Sequence, residues 1–293
     1  MSLAGKTIFM SGGSRGIGLA MAKKFAEDGA NIAIAAKTAK PHPKLDGTIY
    51  TAAKEIEDAG GQALPIVCDI RDEDGVRDAV KACADKFGGI DICINNASAI
   101  SLTPTPNTSM KHYDLMNQVN ARGTFLVSQT CLPYLKDAEN PHILNIAPPL
   151  DMEAKWFKNH VAYTMAKYGM SLCTLGMSEE FRPDGIAVNS LWPMTSIDTA
   201  AVRNVLGGDS MAKMSRLPQI MADAAYILLN KSAKNFTGNF VIDEFILAEN
   251  GVEDFNIYNQ AGYDGPLAAD FFVPDAFLAK SKSNVMQHPG YKD

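Results

Sequence analysis

Short apolar runs alternate with longer stretches of helical character from the N-terminus to about residue 190. Strands and helices that alternate in this way form βαβ units, in which the strands are parallel. Several runs are apolar throughout, as expected where helices cover both faces of a sheet. The pattern therefore predicts a doubly wound α/β fold with a mostly parallel sheet. The predicted strands are Thr7–Ser11, Asn31–Ala36, Ala63–Cys68, Ile90–Asn95, His142–Ala147, Ile186–Leu191 and Asn239–Ile246. The predicted helices are Gly16–Asp28, Thr51–Ala59, Asp72–Phe87, His112–Leu135, Ala162–Phe181 and Ile220–Leu229.

Three segments of the chain are longer than ordinary connections between strands and helices. They are Lys37–Tyr50, Pro148–His160 and Thr195–Leu217, and each follows the carboxyl end of a predicted strand. Ligands bind at that edge of an open parallel sheet, so the long loops predict a site there. Oligomer contacts or tolerated insertions are the alternative interpretation.

The charge and cysteine content exclude several classes of function. The 293 residues carry a formal charge of −6, which gives no general attraction to nucleic acid or acidic membranes. There is no apolar run long enough to span a membrane, and the first residues lack the basic segment followed by an apolar segment that is typical of a secretory signal. We therefore expect a cytoplasmic protein. The five cysteines are widely spaced and have no nearby histidine, which predicts reduced thiols and no metal site.

A glycine-rich loop closes the first predicted strand and opens the first predicted helix. Its glycines are Gly12, Gly16 and Gly18, in the spacing G-x-x-x-G-x-G. The amides at a helix start point outward and carry the positive end of the helix dipole, which binds phosphate groups. Gly12 permits the tight turn, Gly16 lets a phosphate approach the backbone, and Gly18 lets the helix pack closely on the strand. We therefore expect residues 1–250 to form one dinucleotide-binding domain, and 251–293 to form a tail on that body or on a neighbouring subunit.

The second strand ends without the acidic residue that reads the ribose in many NAD-binding folds. Lys37 stands there instead, and Arg15 in the glycine loop could meet a 2′-phosphate together with it. His42 and Lys44 on the following loop are further candidates. This favours NADP(H) over NAD(H), the alternative being that Lys37 is a solvated charge at a strand end.

A conjunction of motifs resembles the short-chain dehydrogenase/reductase family over residues 3–246. These motifs are the glycine spacing, Asp69-Ile70, Asn95-Asn96-Ala97-Ser98, Asn120 within Val-Asn-Ala-Arg-Gly-Thr, and Tyr163-x-x-x-Lys167. Within the family, further motifs resemble the hydroxysteroid dehydrogenase-like subgroup, whose mammalian members append a sterol-carrier domain that we expect this chain to lack. These are Ala35-Ala-Lys-Thr, Pro41-His-Pro-Lys, Ile146-Ala-Pro-Pro-Leu, Trp156-Phe157 and Phe236-Thr-Gly-Asn-Phe-Val-Ile-Asp.

The resemblance implies a single-domain Rossmann fold and a set of cofactor contacts. Asp69 and Ile70 would contact the adenine, and Asn96 and Ala97 the ribose region near the nicotinamide. After the sixth strand the family has Pro-Gly-x-Ile/Val-x-Thr, whereas this chain has Met194 in place of the glycine and one extra residue. The register of Ile197 and Thr199 is therefore open. The full predicted set is Gly12, Ser14, Arg15, Gly16, Ile17, Gly18, Lys37, Asp69, Ile70, Asn96, Ala97, Tyr163, Lys167, Ile197 and Thr199.

Tyr163 and Lys167 are four residues apart in a predicted helix, so their side chains share one face. An unperturbed phenol has a pKa near ~10, and a neighbouring ammonium stabilises its anion. By the resemblance, Tyr163 transfers a proton to or from the substrate oxygen, Lys167 also holds the nicotinamide ribose, and Asn120 holds a water that links Lys167 to solvent. A tyrosine that merely packs on a buried helix face is the alternative.

The fourth member of the family's catalytic set is missing. Family members place a serine just after the fifth strand, where its hydroxyl binds the substrate oxygen, but this chain has Ala147-Pro148-Pro149. Proline also lacks a backbone N–H that could donate instead. The loss of one such donor typically costs about 10²–10³ in rate.

Two functions follow from the sequence. The first is an oxidoreductase that interconverts a carbonyl and an alcohol, with Tyr163, Lys167 and Asn120 as its catalytic residues and an incomplete set around them. The second is an NADP(H)-binding sensor or interaction partner with little turnover. Met152, Trp156 and Phe157 suggest a small apolar substrate, although they could equally be core or dimer-contact residues. The resemblance also implies a homo-oligomer.

Overall fold

The computed structural model describes residues 2–42 and 45–288, and its centre is a sheet of seven parallel strands in the order β3-β2-β1-β4-β5-β6-β7. This confirms the predicted doubly wound, single-domain α/β fold. The strands are β1 (Thr7–Ser11), β2 (Asn31–Ala36), β3 (Gln62–Val67), β4 (Ile92–Asn95), β5 (His142–Asn145), β6 (Ala187–Trp192) and β7 (Phe240–Ile242).

The strand order reverses between β1 and β4, which are neighbours in the sheet. Ser11 at the end of β1 pairs with Asn95 at the end of β4, and with Ala35 of β2 on its other side. The loops that follow these strands therefore leave the sheet side by side. In open α/β sheets this reversal point is where a crevice opens for a ligand.

Helices cover both faces of the sheet and bury an apolar core on each. On one face, Phe25, Ile56 and Leu228 are fully buried among strand side chains. On the other face, Val80 and Val127 occupy the equivalent positions. The helices are α1 (Gly16–Ala26), α2 (Ile49–Asp58), α3 (Glu73–Phe87), α4 (Met110–Met116), α5 (Gly123–Leu135), α6 (Val161–Glu180), α7 (Gly208–Lys213), α8 (Gln219–Leu229), α9 (Asp243–Glu249) and α10 (Asp275–Leu278).

The predicted helix His112–Leu135 is interrupted by a turn with wider hydrogen bonding. A π-helical turn, Asn117–Arg122, joins α4 to α5. Turns of this kind often occur at functional sites, and Asn120 lies within this one.

The predicted strand Asn239–Ile246 is wrong beyond Ile242, where the chain turns into α9. The Asp243 carboxylate accepts hydrogen bonds from the Met194 amide at 2.8 Å and from the Glu244 amide at 2.6 Å. These bonds hold the start of the helix. An apolar run such as 245–247 does not by itself separate a strand from a short helix.

Residues 251–288, called the C-terminal segment below, form regular structure where the sequence predicted only a tail. The segment contains α10 and a two-stranded parallel sheet of β8 (Leu267–Ala268) and β9 (Val285–Met286). Phe271, Phe272 and Val273 are buried in one apolar cluster with residues of the body. The segment therefore packs against the domain.

Within residues 2–42 and 45–288, no helix has both the length and the apolarity needed to cross a membrane. The same part of the chain holds no group of three or more His, Cys, Asp and Glu side chains arranged for a metal ion. All five cysteines are free thiols.

Candidate active site

A crevice of about 560 Å³ opens at the carboxyl edge of the sheet, beside the reversal point between β1 and β4. Its walls include the glycine loop, the end of β2 at Lys37, the end of β3 at Asp69 and the loop after β4. Residues 199–201 also line it. Of the residues predicted to contact the cofactor, those that line the crevice are Gly12, Ser14, Arg15, Gly16, Ile17, Gly18, Lys37, Asp69, Ile70, Asn96, Ala97 and Thr199.

The glycine loop lies so close to the loop after β4 that side chains would collide. A Cβ atom on Gly12 would lie 2.7 Å from the Ala97 Cα, and the φ angle of Gly12 is 76°. A Cβ atom on Gly18 would lie 2.5 Å from the Asn96 Nδ2, which donates a hydrogen bond to the Gly12 carbonyl at 2.7 Å. Glycine at these positions is therefore required by contact as well as by conformation.

Two cationic side chains, Arg15 and Lys37, and the start of α1 lie on the wall of the crevice. No described side chain caps the N-terminus of α1, whose first amides carry the positive end of the helix dipole. The Arg15 guanidinium donates hydrogen bonds to the carbonyls of Asp46 and Gly47, both at 2.8 Å. Lys37 is exposed and its Nζ lies 3.6 Å from the Asp69 carboxylate. This donor set suits a nucleotide with several phosphate groups.

Asp69 is held by a second cation beside Lys37. The Arg71 guanidinium donates to it at 2.6 Å, and this hydrogen bonding lowers the pKa of Asp69 to about 2. Asp69 is therefore ionised under all ordinary conditions. His42 is exposed on the following loop, whereas Lys44 lies outside the described residues.

Tyr163 and Lys167 lie one turn apart on α6, and both are buried. The Lys167 Nζ donates a hydrogen bond to the Ile146 carbonyl at 2.8 Å and lies 4.9 Å from the centre of the Trp192 ring. Burial lowers the pKa of Lys167 to about 7, and the charge of Asp270 opposes this shift. The amine can therefore gain or lose a proton near neutral pH. Neither Tyr163 nor Lys167 is among the residues that line the crevice.

Asn120 is fully buried in the π-helical turn, and both polar atoms of its side chain bond to the backbone of Ala99. Its Oδ1 accepts from the Ala99 amide and its Nδ2 donates to the Ala99 carbonyl, each at 2.9 Å. These bonds fix the turn to the loop after β4. On its other side, a Cβ atom on Gly169 would lie 2.5 Å from the Ala121 Cβ, so this mid-helix glycine lets α6 approach the turn.

The loop after β5 presents backbone carbonyl groups to α6. The Ile146 carbonyl accepts from Lys167, and the Pro148 carbonyl accepts from the Ser171 hydroxyl at 2.7 Å. Ala147 between them is fully buried. This loop therefore positions α6 without supplying a side-chain donor.

Three of the predicted residues, Ile197, Met152 and Trp156, are absent from the crevice lining. Ile197 is 3% exposed and packs in the hydrophobic core, while Thr199 lies on the crevice wall. Trp156 is buried against Phe272, with ring centres 5.9 Å apart, and Met152 is exposed.

The structure also brings the C-terminal segment to Tyr163 and Lys167, which the sequence reasoning missed. The Trp192 Nε1 donates to the Phe271 carbonyl at 2.7 Å, and the Phe272 ring lies 6.1 Å from that of Tyr163. The run Phe271-Phe272-Val273-Pro274 was the available signal, since such an apolar run is seldom left in solvent. Asp270 precedes it, and burial raises the pKa of Asp270 to about 7.

Comparisons with known proteins agree with this geometry. The model of the short chain dehydrogenase family matches residues 6–207. Curated proteins named hydroxysteroid dehydrogenase-like protein 2 are similar: that of Xenopus laevis is 58% identical over 94% of this chain, and that of Homo sapiens is 58% identical over 96%. The chain spans 65% and 66% of the length of these two relatives.

A solved structure of a short chain dehydrogenase from Mycobacterium thermoresistibile is 54% identical, with a TM-score of 0.88 over 99% of both chains. The family and the subgroup expected from the motifs are thus confirmed. Members of this family are oxidoreductases that bind a nicotinamide cofactor. The chain belongs to the short-chain dehydrogenase family.

Proposed function

We propose that this protein is an NADP(H)-dependent oxidoreductase that interconverts a carbonyl and an alcohol by hydride transfer. The observation that carries the proposal is the pairing of Tyr163 with the buried amine of Lys167 on α6, at the same sheet edge as the glycine-lined crevice. A phenol beside a buried amine is a proton donor and acceptor, and the crevice suits a dinucleotide.

The crevice residues fit a phosphorylated dinucleotide. Gly12, Gly16 and Gly18 would hold its pyrophosphate at the start of α1, and Arg15 and Lys37 would meet a 2′-phosphate. Asp69 and Ile70 would contact the adenine, with Asn96, Ala97 and Thr199 further along. When bound, the nicotinamide group supplies the hydride acceptor or donor. The position of Ile197 in the core makes Thr199 the better candidate contact of the two.

Tyr163 would move the proton that accompanies hydride transfer. In reduction its hydroxyl donates to the substrate oxygen, and the Lys167 ammonium stabilises the phenolate that remains. A pKa of about 7 allows Lys167 to exchange its proton with a relay. Asn120, bound on both sides to Ala99, would fix the turn that holds the relaying water.

The alternative is NADP(H) binding with little turnover, called the binding-only function here. One observation favours it, which is the loop Ala147-Pro148-Pro149. Lys167 donates to the carbonyl of Ile146, which precedes this loop, Ser171 donates to the Pro148 carbonyl, and Ala147 occupies the position where the resemblance expects a serine. The missing donor would slow the reaction by about 10²–10³. This loss is compatible with turnover, because Tyr163 still reaches the oxygen as an acid.

The experiment is a titration with NADPH and with NADH, followed by a screen of carbonyl substrates with the tighter cofactor. Tyr163→Phe should then lose at least about a hundredfold in kcat, since it removes the acid. Tyr168→Phe is the matched control, because Tyr168 lies on the same helix and donates its hydroxyl to the Asp151 carbonyl. NADPH binding without oxidation of NADPH by any carbonyl would favour the binding-only function. Equal rates in the two variants would overturn the role of Tyr163.

We propose a homo-oligomer and a small apolar substrate as partners. Exposed apolar side chains form a stripe along α6, and Phe125 on the adjacent α5 is also exposed, which supports pairing with a second copy. The stripe consists of Val161, Met165, Leu172 and Leu175. The aromatic rings around Tyr163 support an apolar substrate. Light scattering of the wild type and of Leu172→Glu tests the first point, with a smaller particle expected for the variant.

A further inference from the structure

Trp192 is the last residue of β6, and its indole ring lies against the charged end of the Lys167 side chain. The Lys167 Nζ is 4.9 Å from the centre of the ring, which is within the distance at which an aromatic face attracts a cation. Both residues are buried, with 2% of Lys167 and 6% of Trp192 exposed. Water therefore screens this attraction very little.

The hydrogen-bond partners of the Lys167 ammonium are both uncharged. It donates to the Ile146 carbonyl at 2.8 Å and to the Met170 thioether at 3.4 Å. Nowhere in the described part of the chain does a carboxylate form an ion pair with it. A buried ammonium without a paired anion is costly, so the negative face of an aromatic ring is a substantial part of its stabilisation.

The ring and the carbonyl reach Lys167 from neighbouring strand ends. Asn145 at the end of β5 pairs with Ser190 of β6, and Ile146 and Trp192 follow these two residues closely in the chain. The ammonium thus lies where β5 and β6 end side by side. This position is set by the parallel sheet and not by a flexible loop.

A hydrogen bond and a packing contact fix the orientation of the Trp192 ring. Its Nε1 donates to the Phe271 carbonyl at 2.7 Å. The ring of Phe272 packs against it, with ring centres 6.1 Å apart and ring planes tilted by 53°. Phe272 is itself fully buried. Trp192 cannot turn its face away from Lys167 without breaking these contacts.

We infer that Trp192 is a positioning residue, whose aromatic face holds the Lys167 ammonium in place beside Tyr163. It acts through Lys167, which lies one turn from Tyr163 on α6. The inference rests on the proposed function only for its effect on turnover, since the charge of Lys167 can be measured without a substrate.

Other ionisable groups lie on the elements packed around Lys167. Burial lowers the pKa of Lys167 to about 7, and the charge of Asp270 opposes this shift without forming an ion pair. Arg122 on the π-helical turn donates to the Arg71 carbonyl at 2.9 Å. A test of Trp192 must therefore leave all of these groups unchanged. The remaining groups are Tyr163 and His160 on α6, Asp243 and Glu244 at the start of α9, Arg216 in its ion pair with Glu244, and His288 against Phe271.

Fluorinated tryptophan tests the contact with almost no change in shape. Fluorine withdraws electrons from the indole ring and weakens the attraction of its face for a cation. The chain has two tryptophans, so Trp156→Phe leaves Trp192 as the labelled residue. NMR on the full chain with ¹³C-labelled lysine follows the Lys167 titration, and Lys167→Met assigns its signal. We expect the midpoint to fall by about a few tenths of a pH unit with monofluorinated tryptophan, and further with difluorinated tryptophan.

Trp192→Phe provides the matched control, because the label then enters only Trp156. The ring of Trp156 lies 4.8 Å from a different ammonium, that of Lys155. Fluorination in this variant should leave the Lys167 midpoint unchanged. Trp192→Leu removes the aromatic face and should lower the midpoint by about one pH unit from that of the wild type. A midpoint that does not respond to fluorination of Trp192 would overturn the inference.

The chain that keeps both tryptophans gives a second measurement if Trp156→Phe fails to fold. Trp192→Phe assigns its two ¹⁹F signals. The Trp192 signal should titrate with the midpoint of the Lys167 amine, because the ring face senses that charge, and this titration should vanish in Lys167→Met. A Trp192 signal that is unaffected by Lys167→Met would contradict the inference.

The kinetic consequence separates this inference from the proposed function. If a carbonyl substrate is found, fluorination of Trp192 should move the high-pH limb of kcat down together with the Lys167 midpoint, because Lys167 then loses its proton earlier. If no carbonyl is turned over, the proposed function fails while the NMR result still decides the role of Trp192. A lower kcat with an unmoved pH limb would show that the ring has a merely structural role, against the inference.

Discussion

The ammonium of Lys167 lies 4.9 Å from the centre of the Trp192 ring, and the indole nitrogen of the same residue donates to the Phe271 carbonyl. Trp192 therefore connects the buried amine on α6 with the C-terminal segment. Its ring stabilises the positive charge, while its N–H fixes the backbone next to Asp270.

These two roles of Trp192 can be separated by two substitutions. Trp192→Phe keeps an aromatic ring and loses the hydrogen bond, which should lower the free energy of unfolding by about 1 kcal/mol. Trp192→Leu also loses the ring and leaves a cavity, and it should cost about 2–4 kcal/mol. Urea unfolding measures both values. Equal losses would show that the ring contributes nothing beyond its hydrogen bond.

Gly12→Ala should damage the crevice far more than the same change at another left-handed glycine. The new Cβ would lie 2.7 Å from the Ala97 Cα, so the loops after β1 and β4 must move apart. We expect NADPH binding to be lost. Gly5→Ala is the matched control, because Gly5 has a φ angle of 68° and nothing within 4 Å of its Cβ position.

The control variant should show only the conformational cost of about 1 kcal/mol in thermal unfolding and bind NADPH normally. Isothermal titration of both variants with NADPH is the measurement. Full affinity in Gly12→Ala would contradict the close approach of the two loops.

Lys37→Ala should weaken NADPH binding without a comparable effect on NADH. A charged hydrogen bond to a phosphate contributes about 1.5–3 kcal/mol, so we expect a loss of about ten- to a hundredfold in affinity. Lys40→Ala removes an exposed charge three residues later and serves as the control. Parallel losses for NADPH and NADH in Lys37→Ala would show that Lys37 does not read the 2′-phosphate.

Stability should fall as the pH drops from about 6.5 to about 4. His142 is fully buried, and burial lowers its pKa from 6.5 to about 4. Between these values the unfolded chain binds a proton that the folded chain does not, so acid favours unfolding. The full effect of His142 is about 3 kcal/mol.

Urea unfolding at several pH values measures this slope. His142→Gln should flatten it, because glutamine does not titrate and can still donate to the Lys231 carbonyl that His142 contacts at 3.1 Å. His112→Gln, at an exposed position, should leave the slope unchanged. An unaltered slope in His142→Gln would show that groups other than His142 cause the loss of stability in acid.

The parts of the fold that follow local patterns could be predicted from the sequence. The bounds of Thr7–Ser11 and Asn31–Ala36 agree with the structure, because each is an apolar run that ends at glycine or at charged residues. The crevice could be placed for the same reason, since the glycine spacing and the strand ends are local features. The helix after Ile242 was missed because its start depends on Met194, 49 residues away.

The surroundings of Tyr163 could not be predicted in the same way. Phe272 packs on Tyr163 although more than a hundred residues separate them in the chain. Neither hydrophobic periodicity nor motif spacing predicts such a contact. Contacts between distant parts of the chain therefore could not be predicted from the sequence.

The attachment of the C-terminal segment has a consequence for the order of assembly during synthesis. The glycine loop, the seven strands of the main sheet and α6 all precede residue 267 in the chain. Trp192, Tyr163 and Lys167 obtain their last neighbours only when Phe271 and Phe272 leave the ribosome. The surroundings of Tyr163 are therefore completed only after every strand of the main sheet has been synthesised.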